Sequence, residues 1–86
     1  MAVNLSSGGT TVTIADIRLV FVVALKATAL SIIISHNHPS SDFTPSAADQ
    51  YITQKIKSAG ELLDIKLLDH IIVTSEGYYS FADEGL

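Results

Sequence analysis

Apolar positions fall into blocks of different period along this chain. Residues 17–30 are apolar almost without a break, with Leu19, Val20, Phe21, Val22, Val23, Ala24 and Leu25 in succession and Lys26 and Thr28 interrupting later. Period alone does not separate helix from strand in such a block. Val20, Val22 and Val23 favour a strand, whereas the length of the block and Ala24, Leu25, Lys26, Ala27 and Ala29 favour a helix. Ser31-Ile32-Ile33-Ile34-Ser35 has the length and β-branched content of a short buried strand. After a polar interval, residues 46–63 repeat apolar side chains at helical spacing: Ala48, Ile52, Ile56, Ala59 and Leu63 share one face, and Gln50, Lys57 and Glu61 are left to solvent. Gly60 lowers helix propensity in the last turns. Asp64-Ile65-Lys66 then links to a strand over residues 67–73, Ser75-Glu76-Gly77 supplies a turn, and Tyr78-Tyr79-Ser80-Phe81 returns as an antiparallel strand.

The N-terminal part is harder to read. Residues 1–9 are predicted to be a flexible segment that closes on Ser6-Ser7-Gly8-Gly9, a linker composition. Thr10-Thr11-Val12-Thr13-Ile14 is β-prone and leads into Asp16, a suitable helix N-cap, so it reads as a short extended arm. The predicted order is α-β-α-β-β over residues 10–86, an α/β layer in which a small mixed β-sheet packs with helices.

Between the predicted strand and the second helix lies the stretch that carries chemistry. His36 and His38 are two apart, so on or just beyond a strand they present their rings to one side. Asp49 returns in the first turn of the following helix. Two imidazoles and a carboxylate give zinc three ligands and leave one position for water, the open arrangement of catalytic zinc. Ser46-x-x-Asp49 also fits a capping box, in which each residue satisfies a free backbone N–H of the other. Capping explains Ser46 and Asp49 but not the histidines, and it is compatible with ligation. His70, flanked by Leu68, Ile71 and Ile72, reads as a hydrogen-bonded structural histidine that Asp69 could orient. Asp42 reads as a loop residue.

Size and charge narrow the classes. Eighty-six residues make one domain of modest stability. A formal charge of −4 and a pI near 5 give no basic footprint for nucleic acid. With no cysteine there is no disulfide framework and no thiolate ligand, consistent with a cytoplasmic setting. Residues 1–7 lack the charged start and apolar core of a signal peptide. Arg18 and Lys26, and the run into paired histidines, argue against a membrane span over residues 17–34.

The string His36-Asn37-His38-Pro39-Ser40, followed by Thr44-Pro45-Ser46 and Asp49, resembles the JAMM (MPN+) metalloprotease motif, and more narrowly its version in the bacterial RadC-type domain. Ala59-Gly60-Glu61-Leu62-Leu63, Leu68-Asp69-His70-Ile71-Ile72-Val73 and Gly77-Tyr78-Tyr79-Ser80-Phe81 extend the resemblance over roughly residues 8–86. It implies a JAMM/MPN-like (cytidine deaminase-like) fold with a helix over the apolar block. Being apolar nearly all round, that helix is expected to be covered on more than one side, by the rest of a larger domain or by a second copy in a homo-oligomer.

For the site, the resemblance implies zinc on His36, His38 and Asp49, Ser46 stabilising an oxyanion, and a peptide or isopeptide substrate. JAMM enzymes also carry a glutamate general base on a strand upstream of the His-x-His. Here Glu61, Glu76 and Glu84 all lie downstream, and Asp16 is the sole acidic residue before His36. The chain is therefore expected to be the C-terminal portion of an N-terminally truncated domain, binding metal and hydrolysing weakly or not at all. Two other readings remain open: a non-catalytic, metal-stabilised binding or assembly module, and a DNA repair-associated factor, which the acidic balance does not favour.

Overall fold

The computed structural model describes residues 1–5, 16–38, 42 and 44–86. Among the described residues six elements follow one another: β1 (Ala2–Asn4), α1 (Ile17–Lys26), β2 (Ser31–Asn37), α2 (Ala47–Leu63), β3 (Lys66–Thr74) and β4 (Gly77–Ser80). The sheet order is β1-β2-β3-β4, with β1, β2 and β3 parallel and β4 antiparallel to β3. This is the predicted mixed α/β layer with one strand added at its front.

The added strand corrects the expectation of a flexible start. Ala2, Val3 and Asn4 pair with Ile33, Ile34 and Ser35, Leu5 N–H donates to the Ser35 carbonyl, and the Val3 side chain is buried. Three residues are too few for a period to be read, which is why sequence pattern missed them. The expected linker over residues 6–9 and the extended arm over residues 10–14 lie outside the described residues.

The apolar block forms a helix, as the resemblance implied, but a shorter one. Asp16 caps α1 by accepting from the Arg18 N–H at 2.9 Å. The helix stops at Lys26 because Thr28 turns into the left-handed region at φ 51°, with the Thr28 N–H bonded to the Leu25 carbonyl and the Ala29 N–H to that of Ala24. This is the Schellman exit, normally served by glycine. Val20, Phe21 and Ala24 are buried, while Leu19, Val22, Val23 and Leu25 stay exposed.

One hydrophobic cluster joins both helices to the sheet. Val20, Phe21 and Ala24 of α1 and Ile56 of α2 meet Val3, Ile32, Ile34 and Leu67 from the strands. The predicted inner face of α2 requires correction. Its buried residues are Asp49, Thr53, Ile56 and Gly60, whereas Ile52 and Ala59 are half-buried and Ala48 and Leu63 exposed. The inward stripe is rotated because two polar residues, Asp49 and Thr53, are fully satisfied by hydrogen bonds and so can be buried. Gly60 has a steric reason: a Cβ there would fall on the Ile65 carbonyl oxygen as the chain turns back into β3.

The pairing of β2 with β3 shifts register between Ile32 and Ile33, which pair with Leu67 and Asp69, so Leu68 is an extra residue on β3. The bulge reverses the alternation of all that follows. Leu67 faces the helices, and beyond the bulge so does His70, paired with Ile34. Among the described residues, no helix is long and apolar enough to cross a membrane.

Candidate metal centre

The site forms where the carboxyl ends of the parallel strands meet the amino end of α2, the place where open α/β sheets commonly bind ligands. His36 belongs to β2, which runs to Asn37 rather than ending at Ser35, and it pairs with Ile72. His38 lies just beyond, and its N–H extends the ladder by donating to the Val73 carbonyl at 3.0 Å. Pairing that continues past the strand end holds the two rings on one side, with centroids 4.9 Å apart.

Asp49 is delivered by the capping box. Ser46 is the N-cap with extended backbone; its Oγ accepts from the Asp49 N–H at 3.1 Å, and Asp49 Oδ2 accepts from the Ser46 N–H at 2.8 Å. Capping and ligand placement are thus the same structure, since the bond that satisfies the helix end also aims the carboxylate. His36 Nδ1 lies 3.1 Å from Asp49 Oδ1, and His38 Nε2 lies 3.1 Å from Asp49 Oδ2. One donor atom from each of the three residues falls within 4.8 Å of the others, and the group could hold a metal ion.

The hydrogen-bond inventory of His38 favours a cation. Its Nδ1 faces the Asp42 carbonyl at 3.2 Å and its Nε2 faces the Asp49 carboxylate, so both ring nitrogens meet acceptors. A neutral imidazole carries a single N–H. If Nδ1 donates to Asp42, the Nε2 lone pair points at an anion, and a proton or a metal ion between them resolves the conflict. A histidine whose second nitrogen is fixed by a backbone carbonyl is the usual arrangement at metal sites. The Asp42 carbonyl thus orients a candidate ligand, while the Asp42 side chain accepts from the Thr44 N–H at 2.9 Å.

Asp49 is buried, which alone would raise its pKa. The Ser46 hydrogen bonds and the two histidines outweigh burial and hold the carboxyl below the ordinary value. The carboxylate is thus ready to bind a cation at neutral pH.

His70 is fully buried and hydrogen-bonded, as the sequence suggested, but its partner is Thr53 of α2, with Nδ1 2.5 Å from Oγ1. Burial first, opposed by the Asp49 charge, pushes its pKa down to about 4. Asp69 does not orient it. That carboxylate accepts from Ser80 Oγ at 2.6 Å and from the Ala82 N–H at 2.9 Å, holding the C-terminal turn. Sequence reasoning missed Thr53 and the Asp42 carbonyl. Thr53 stands four residues after Asp49, the spacing that puts it on the same face of α2, and that was the available signal.

Comparison with known proteins decides the family, because the RadC-like JAB domain family matches residues 1–86. The chain belongs to that family. It is 56% identical over 83 residues to the UPF0758 protein of Flavobacterium johnsoniae, covering 96% of this chain and 36% of that protein. It is 52% identical over 68 residues to the UPF0758 protein of Thermotoga maritima, covering 79% of this chain and 31% of that protein. The UPF0758 protein of Porphyromonas gingivalis is 48% identical over 84 residues, 96% of this chain and 37% of its own. The RadC-like chain thus spans about a third of the length of these relatives.

Proposed function

We propose that His36, His38 and Asp49 form the zinc site of an amide hydrolase acting on peptide or isopeptide bonds. The observation that carries this reading is the convergence of two imidazoles on one buried carboxylate, with both nitrogens of His38 facing acceptors. Three such ligands suit zinc and leave a position open. Zinc held there would polarise a substrate carbonyl and lower the pKa of bound water from 15.7 to roughly 7.

The chain's own residues have separable parts in this scheme. Asp49 supplies negative charge that the capping box keeps ionised. Asp42 holds His38 through its carbonyl. Ser46 Oγ accepts from the Asp49 N–H and keeps its own proton, so its hydroxyl can donate to an oxyanion developing beside the metal.

A general base is needed to move the proton of water to the leaving amine. Among the described residues, no second carboxylate joins the three ligands. We assign the base to a glutamate outside these 86 residues in a longer chain, so this chain by itself would bind metal and turn over little substrate. That same observation favours the second reading, a metal-stabilised binding module.

Peptide-mixture cleavage read by mass spectrometry separates the two. The protein in its full chain, loaded with zinc, is expected to cut internal or side-chain-linked amides, and to stop on chelation or in Asp49→Asn. Zinc bound at one equivalent with no cleavage would overturn the hydrolase reading.

A further inference from the structure

Among the described residues, His70 is the one buried titratable group close to the site that the proposed chemistry leaves unused. Its surroundings are built in three ways. The bulge at Leu68 turns it toward the helices, where an unbroken β3 would put Asp69. Its ring stacks on Phe81 at 4.9 Å and lies near-parallel to His36 at 6.2 Å. Its Nδ1 meets Thr53 Oγ1, and that hydroxyl donates to the Asp49 carbonyl at 2.7 Å.

A hydroxyl has a single proton. Because Thr53 gives its proton to Asp49, His70 must donate from Nδ1, and the chain of bonds runs from His70 through Thr53 to the backbone of Asp49. Nε2 is then a bare lone pair, buried and without a partner among the described residues. An unpaired buried acceptor destabilises a fold, and an apolar ring or branched side chain would fill this place without that cost. Stability alone therefore does not explain a histidine here. What a histidine provides is a directed bond to the first turn of α2 and a flat face against His36.

We propose that His70 is a positioning residue for the metal centre, setting Asp49 through Thr53 and His36 through its ring face. It touches both elements that carry ligands, β2 and α2, and fixes their separation. Outer partners of this kind commonly change metal affinity 10- to 100-fold when removed. The inference rests on the metal-site reading, so its test uses cobalt(II), which can occupy zinc sites and reports ligand geometry through its visible absorption.

The purified protein and its His70→Leu, Thr53→Val and Thr53→Ser variants are titrated with cobalt(II) against a competing chelator, with metal-free melting measured alongside. His70→Leu and Thr53→Val are expected to bind roughly 10- to 100-fold more weakly with altered spectra. Thr53→Ser, which keeps the hydroxyl, is expected to return to the parent affinity and spectrum, and metal-free His70→Leu to melt no lower than the parent. Parent-like affinity and spectra in His70→Leu and Thr53→Val would overturn the positioning role while leaving the metal site standing. Should His70→Leu fail to fold, indistinguishable Thr53→Val and Thr53→Ser titrations would overturn it equally. No cobalt bound by the folded parent would overturn both readings.

Discussion

Asp49 does three things with two oxygens: it closes the capping box, meets His36 and meets His38. Asn in its place keeps an oxygen for the Ser46 N–H but loses the charge. Asp49→Asn is therefore expected to lower zinc affinity by at least about 100-fold, a charged ligand being lost outright, while the metal-free protein stays folded. Calorimetric zinc titration with circular dichroism checks both halves. Ser46 is separable in the same way. Ser46→Ala removes the cap and should cost about 1 kcal/mol in denaturant unfolding, whereas Ser46→Asn, itself a good cap, should cost little. At this scale the grouping of His36, His38 and Asp49 was legible, because residue type and spacing carried it. The Asp42 carbonyl was not, since backbone groups have no letter of their own, and neither was the failure of Asp69 to orient His70. Alternation along a strand does not reveal which neighbour a bulge will turn away.

Among the elements, α2 was legible in extent, from its Ser46 cap to Leu63, but not in rotation. An apolar pattern assigns the inner face to Ile52, Ile56 and Ala59, and the structure turns it toward Asp49 and Thr53, where the site needs polar groups in the interior. The end of α1 offers a test of local strain. Thr28 is β-branched and sits at φ 51°, a conformation costly to any residue with a Cβ and to a branched one most of all. Thr28→Gly is expected to stabilise by about 1 kcal/mol, the relief of that strain being partly offset by the greater freedom of glycine in the unfolded chain. Gly60→Ala should do the opposite despite the better helix propensity of alanine, because the added methyl meets the Ile65 carbonyl. Urea midpoints of the two variants, moving in opposite directions, would verify both assignments.

The described residues form a two-layer arrangement, with helices on one side of a four-stranded sheet and a group that could hold a metal ion at the carboxyl ends of its parallel strands. Pattern and resemblance gave the layers and five of the six elements, and β1 escaped because three residues carry no period. Acid should weaken the metal-free fold. His70 has a folded pKa near 4 against about 6.5 when unfolded, so between those values the unfolded chain binds the extra proton. Its contribution is intact above about pH 6.5 and is lost as the pH falls toward 4, by of the order of 3 kcal/mol at about 1.36 kcal/mol per pKa unit. Asp49, with its pKa held low, adds stability that is present above the ordinary carboxylate range and lost below it. Denaturant unfolding of the metal-free protein from pH 7.5 to 4 should show the His70 decline, and His70→Leu should flatten it, whereas the loss that belongs to Asp49 falls below that range.

All of this depends on a single claim, that His36, His38 and Asp49 bind one metal ion together. Zinc per chain, measured by elemental mass spectrometry after loading and desalting, tests it most directly, with folded His38→Ala and Asp49→Asn as controls. One equivalent in the parent and little in either variant is the predicted result. A folded parent that retains no zinc, or variants that retain as much as the parent, would contradict it.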